Sequence, residues 1–267
     1  MPARRVWQCK TRHPKSQFSI KVGTIYEDSA LGLDKWLTTT WMVVNCKNGV
    51  SSYEIARSVG VTQKSAWFML HRIRLAMQDE ETNQLSGQVE VDETFIGGKA
   101  RNMHASRRRT RITGTGGKDK TIVMGLLERG GKVKAGVVAD RSAMTLQSIV
   151  LDTVSAGSEV YTDELQSYQG LDGAYVHNVI NHAHEYVSGQ IHTNGMENFW
   201  SLLKRGLNGT YVAVRPFHLF RYIDEQSFRY NNRKDIGDGG RFNLCVSQTV
   251  GKRLTYKQLT GKVQTAH

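Results

Sequence analysis

The order in which two hydrophobic periods succeed one another after residue 86 constrains the fold more than any other feature. Val89 and Val91 alternate with Glu90 and Asp92, the period of two expected of a strand with one buried face. "TIVMGLLERGGKVKAGVVAD" then supplies strands over residues 121–128 and 132–138, joined by a Gly130-Gly131 hairpin turn. The pattern next becomes helical from Ala143 to Val154, with Met144, Ile149, Val150 and Val154 as candidates for burial. "SEVYTDE" is a fourth strand ending at Asp163, residues 164–170 leave room for a short helix, and "YVHNVINH" is a fifth strand. A helix beginning near Asn194 closes the series. Strands and helices interleaved in this way predict an α/β sheet and not a bundle or a sandwich.

That closing helix lies in "IHTNGMENFWSLLKRGL". Met196, Phe199, Trp200 and Leu203 fall on one stripe, Thr193 or Asn194 is placed to cap the start, and Gly206 to end it. Glu197 lies off the stripe, the one acidic residue on a helix whose other charges, Lys204 and Arg205, are positive. The element order is that of an RNase H-like sheet, although order alone leaves other α/β arrangements open. In such a sheet Asp92, Asp163 and Glu197 converge on one edge. Three converging carboxylates repel one another unless cations neutralise them, and hard oxygen ligands suit Mg²⁺ or Mn²⁺. Two such ions can activate an attacking hydroxyl and stabilise the leaving oxygen of a phosphoryl displacement. Lys204 and Arg205 would then meet phosphates. Glu93 and Glu164 are expected on the opposite face, in structural or supporting positions. His192 and Asn194 lie within one turn of Glu197, within reach of a phosphate or a metal-bound water, with helix capping an equal alternative for Asn194. His182 and His184 have no companions that would make a zinc site, and Tyr161 and Tyr211 are not needed as covalent nucleophiles.

The chain's charge points to its partner. Its 267 residues carry a formal +12 and a sequence pI near 9.7, a balance that suggests nucleic acid. "KARNMHASRRRTRITGTGGKDK" holds eight Lys or Arg and one Asp; without apolar periodicity it reads as a basic loop, with Arg107, Arg108, Arg109 and Arg111 as phosphate contacts. Residues 33–48 form a helix with Leu33, Trp36, Leu37, Trp41 and Val44 on one side. Ser51 with Glu54 opens a second helix that turns Ile55, Ala56 and Val59 inward; Gly60 supplies a tight turn and Thr62 caps a third. That third helix should pack Ala66, Met69, Leu70 and Ile73 and present Gln63, Lys64, Trp67, His71, Arg72 and Arg74. The pair matches the helix-turn-helix template, with Gln63, Lys64 and Arg72 as DNA contacts. A plain helical hairpin is the other reading. "FHLFRYIDEQSFRYNNRK" is a core helix with exposed arginines. Three scattered cysteines offer no disulfide framework, no apolar run approaches a membrane span, and the first residues do not form a leader, so a cytoplasmic, nucleoid-associated protein is expected.

Taken together, "VEVDETFIGGK", "VYTDELQSY", "HNVINHAHEYV" and "HTNGMENFWSLLKRGLNGTYVAVRPFHLFRYIDEQSFRYNNR" resemble the DDE transposases of bacterial insertion sequences, in the branch with an H-T-N-x-x-E-x-F-W motif. The resemblance spans about residues 5–235. It implies an RNase H-like catalytic domain over 86–235, preceded by a helix-turn-helix domain over 31–82 and followed by a C-terminal tail over 236–267. It also implies Asp92, Asp163 and Glu197 as the catalytic, metal-binding triad, with two Mg²⁺ or Mn²⁺ ions. The implied activity is cleavage at element ends and strand transfer into target DNA, with double-stranded DNA as partner and a homodimer or higher assembly. Members usually begin with a zinc ribbon. Here only Cys9 stands where the ribbon's later cysteine pair would begin, with His13 four positions on, so residues 1–30 read as the remnant of a ribbon or arm in an N-terminally truncated chain, and zinc is not expected. Two readings from other classes remain: a helix-turn-helix regulator with an inert sheet domain, and an RNase H-like nuclease without strand transfer.

Overall fold

The computed structural model describes residues 6–11, 16–78, 82–98, 104–106, 109, 120–163, 165–180, 192–234 and 236–262. They form two compact units, one comprising residues up to 79 together with those from 232 onward, the other residues 80–231.

The second unit is built on a five-stranded sheet. Its strands are β3 (Gln88–Ile96), β4 (Thr121–Glu128), β5 (Val133–Val138), β6 (Glu159–Asp163) and β7 (Val176–Ile180), in the spatial order β5-β4-β3-β6-β7. The first three pair antiparallel, as the hairpin signal requires, whereas β3–β6 and β6–β7 are parallel. The parallel pairs need crossovers, and α4 (Ala143–Thr153) supplies the first. A 3-10 turn, Gln166–Tyr168, lies where a short helix was expected over 164–170, and a second, Leu171–Gly173, follows it.

Both sheet faces are covered, and the pleat decides what each face meets. Val89 and Val91 of β3 with Met124 and Leu126 of β4 join Leu146 and Val150 of α4 in one core. Val123 and Leu127, on the opposite face of β4, join a second core with Met196, Phe199, Trp200 and Leu203 of α5 (Asn194–Arg205) and Leu219 and Ile223 of α6 (Leu219–Asn231). Gly125 lies on this face because a Cβ there would stand 2.3 Å from the Met196 side chain and 2.8 Å from the Trp200 ring. Two expectations need correcting. Met144 is 85% exposed, because Ser142 caps α4 and sets the register so that Leu146 and Val150, one turn apart, face the sheet. Of the arginines expected exposed in 217–234, Arg233 is, but the two within α6 are not. Arg229 is buried, bonded to the carboxylate of Glu225 and, at 3.0 Å, to Gln226, while Tyr211 also donates to Glu225.

The first unit gathers α1 (Leu33–Asn45), α2 (Ser52–Val59) and α3 (Gln63–Ala76) with the last part of the chain. Ser51 and Thr62 accept from the amides of Glu54 and Ser65, and Gly60 turns the chain at φ +63, so the caps and the turn fall where the sequence sets them. A two-stranded ribbon, β1 (Trp7–Gln8) with β2 (Gln17–Phe18), precedes them. The segment read as a tail folds back instead: α7 (Asp238–Ser247) packs on α1, with Trp41 against Phe242, and α8 (Tyr256–Leu259) sits beside α3, with Tyr256 against Phe68.

Candidate active site

Register brings the first two acidic residues together. Gln88, Val89 and Glu90 of β3 face Glu159, Val160 and Tyr161 of β6, and the same offset carried two residues further levels Asp92 with Asp163. Both belong to the parity of the face that α5 covers. Asp92 is half-buried; its Oδ2 accepts from Trp200 Nε1 at 2.9 Å and its Oδ1 from the Glu93 amide at 2.8 Å. Asp163 ends β6, and its Oδ1 accepts from the Leu165 amide at 3.0 Å.

Glu93 corrects the sequence reading. Strand alternation sends it to the opposite face, yet carboxylate oxygens of Asp92, Glu93 and Asp163 lie within 4.8 Å of one another. β3–β6 pairing stops at Glu90 and Tyr161, and β6 itself ends at Asp163, so no further rung separates Glu93 from the acids of the other face. The electrostatic result is large. Burial, reinforced by Asp163 and Asp92 and opposed by Arg141, pushes the Glu93 carboxyl up to about 8. Asp92 is raised too, by burial first and then by Asp163 and Glu197, against the hydrogen bonds from Trp200 and the Glu93 amide. Arg141 is exposed, and its guanidinium stands 4.9 Å over the Phe95 ring.

Glu197 is placed by α5. It is exposed in the first turn of that helix and is not part of the 4.8 Å group, but its charge is felt at Asp92. The start of α5 is held in a way the sequence did not disclose. Neither Thr193 nor Asn194 caps it; Asn194 is exposed and Thr193 makes no capping bond. The cap comes from β3, where Glu90, 1% exposed, accepts from the Met196 amide at 2.9 Å. A buried carboxylate needs a positive partner, and Arg129 provides it at 3.0 Å, lying over the Tyr161 ring and donating to the His192 carbonyl at 2.6 Å. His192 itself stands 3.5 Å from Glu90 through Nδ1, so it serves this anchorage. Gly195 permits the close approach, since a Cβ there would come within 2.4 Å of Leu127 and 2.8 Å of Glu90. Glu90 and Arg129 are thus the positioning residues that sequence reasoning missed. The one signal was at Glu90, a charge at a position whose neighbours on both sides are core valines.

The expected DNA contacts divide. Lys204 and Arg205 are exposed in the last turn of α5, Lys64 and Arg109 are exposed, and Gln63 is half-buried with its amide on Ser52 at 2.8 Å. Arg107, Arg108 and Arg111 lie outside the described residues, as do Glu164, His182 and His184. Arg72 is a correction. It is 4% exposed and donates to the carbonyls of Leu254 at 2.9 Å, Ile25 at 2.8 Å and Glu27 at 2.7 Å. His71 and Arg74, also expected outward, are buried. The last part of the chain covers the side of α3 that local periodicity left open.

A family model for the ISXO2-like transposase domain matches residues 84–231, more than half of the chain and all five strands of this sheet. The chain belongs to that transposase family. Among its relatives is a protein of the transposable element ISH50 from Halobacterium salinarum, 29% identical over 201 residues that make up 72% of this chain and 67% of the relative. A transposase-like protein of Haemophilus influenzae is 34% identical over 102 residues, 38% of this chain and 82% of that protein. The resemblance to insertion-sequence DDE transposases is therefore correct, the sheet is the mixed five-stranded one expected of an RNase H-like domain, and DNA is the transposase's partner. Among the described residues no helix is long and apolar enough to cross a membrane.

Proposed function

We propose that this transposase cuts DNA at the ends of its insertion sequence and joins the freed strand to target DNA, using Asp92, Asp163 and Glu197 as its catalytic carboxylates. The observation that carries the reading is the convergence of Asp92 and Asp163 on one face, at a point where both acids are held by fixed donors and where Glu197 acts on Asp92 from the helix above. The cluster fits divalent cations: three carboxylates within 4.8 Å, two of them pushed toward protonation by burial and mutual repulsion, make a site whose stability improves when positive charge enters. Bound Mg²⁺ or Mn²⁺ would supply activation of the attacking hydroxyl and stabilisation of the leaving oxygen.

The residues of the chain do the rest. Trp200 orients Asp92 through its indole N–H, the Leu165 amide orients Asp163, and Glu90 with Arg129 and His192 fixes the first turn of α5 so that Glu197 is delivered to the same edge. Lys204 and Arg205, further along that helix, are suited to phosphates of the bound strand, and Arg107, Arg108, Arg109 and Arg111 to backbone contacts beside it. The first unit binds duplex DNA in the helix-turn-helix manner through Gln63 and Lys64, without Arg72, and two protomers act together on the paired ends. The test is a strand-transfer assay on DNA carrying the sequences that flank the gene, with Mg²⁺, comparing the wild type with Asp92→Asn and Glu197→Gln. Joined donor and target strands from the wild type alone, at equal DNA binding, support the reading. Cut but unjoined DNA favours the simple nuclease, and unchanged output from both variants leaves the sheet unit catalytically inert.

A further inference from the structure

The covered side of α3 changes which surface the first unit can offer to DNA. With Arg72, Arg74 and His71 buried, the middle of α3 cannot lie open along a groove. What stays exposed on this side is its first turn, and there α8 adjoins it. Lys64 stands 5.0 Å over the Tyr256 ring, Phe68 packs edge-on against the same ring at 5.8 Å, and the Arg72 Nε bond to Leu254 fixes the approach two residues earlier. A full capping box, Thr255 with Gln258, sets where α8 begins. Residues 251–262, GKRLTYKQLTGK, contain four Lys or Arg and no acid. Arg253 is occupied by Asp28. Lys257 is exposed, and so is Lys262, whose amide donates to the Lys257 carbonyl. Tyr256, 40% exposed, presents its ring to Lys64 and precedes Lys257 directly in α8.

We propose that the first turn of α3 and the α8 segment form one composite surface for duplex DNA, with Lys64 and Lys257 neutralising phosphates and Tyr256 holding the two elements in register. The idea rests on the reading that the first unit binds DNA, and adds to it the chain's last helix as a contact element. Its logic is charge: α3 is free of acidic residues, the adjoining segment is free of them too, and a transposase's partner is a polyanion. The docking geometry agrees, since helix-turn-helix proteins read bases with the N-terminal residues of the second helix while other elements hold the backbone.

The experiment measures binding of full-length protein to duplex DNA from the gene's flanks over a range of salt, without divalent cation, for wild type, Lys64→Ala, Lys257→Ala and Lys257→Arg. Each lost phosphate contact should flatten the slope of log K against log salt by about 0.9 and weaken binding roughly 8-fold near 0.1 M salt, for specific and unrelated duplexes alike. Lys257→Arg should retain wild-type behaviour, and equal thermal melting of all four proteins excludes a folding effect. Loss with Lys64→Ala but none with Lys257→Ala would overturn the composite surface and leave the DNA-binding reading standing. No change with either would overturn both.

Discussion

On the proposed cation binding, Glu93 links the acidic cluster to protons, and the linkage can be measured. In the metal-free protein its carboxyl is pushed up to about 8 by burial and by Asp163 and Asp92. One unit below that value only about a tenth of the protein has Glu93 ionised, so a cation binding near neutral pH must expel close to one proton from this residue. Affinity for Mn²⁺ should therefore rise about tenfold for each unit of pH up to about 8 and then level off. Stability has the opposite sign. Between the ordinary value of 4.5 and about 8 the folded chain holds a proton that the unfolded chain has released, so metal-free stability falls as pH rises through that window. Saturating Mn²⁺ removes this loss by keeping the carboxylate charged. Titration calorimetry in buffers of different ionisation enthalpy counts the protons released, and Glu93→Gln should release about one fewer near pH 7 and show a flatter pH dependence. Equal proton release from wild type and Glu93→Gln would refute the argument.

The other predictions concern what holds the site and the first unit in place. Arg72→Ala leaves the carbonyls of Leu254, Ile25 and Glu27 without their charged donor; denaturant unfolding should show a loss of about 3–5 kcal/mol, and wild-type stability with selectively lost DNA binding would contradict the buried role. Gly195→Ala sets a methyl against Leu127 and Glu90 and should displace the first turn of α5, lowering strand cutting on the order of 10²-fold with DNA binding retained, as a gel assay of both would show. Trp200→Phe removes a donor that lowers the Asp92 pKa, so Asp92 should titrate higher and the acid limb of the cutting rate should move to higher pH, read from a pH–rate profile at saturating Mg²⁺.

What the sequence disclosed and what it withheld differ in range. β3, the Gly130-Gly131 hairpin and the stripe of α5 are set by neighbours within a few residues, and they stand where the periods put them. Asp92 and Asp163 were legible for the same reason: each sits in a strand whose parity can be counted. Glu93 was misread because counting parity assumes the ladder continues, and here the partner strand stops. Arg72 was misread because an amphipathic wheel knows only its own helix, and the surface it left open is filled by a segment about 180 residues away, whose Leu254 carbonyl takes the guanidinium. Glu90 shows the same limit beside the acidic cluster. On its strand it is a polar residue between valines, which suggests a solvated face; what makes it an anchor is a helix start more than 100 residues later that lacks a cap of its own. A helix N-terminus has unsatisfied amides wherever it is buried, so a predicted helix whose local capping residues face solvent implies an acceptor from elsewhere. In this fold that acceptor must come from the strand beside Asp92, because the same two-residue step that sends Asp92 toward Trp200 sends Glu90 toward Met196. The strand that carries Asp92 thereby also fixes the helix that carries Glu197, and a change at Glu90 should be felt as misplacement of Glu197.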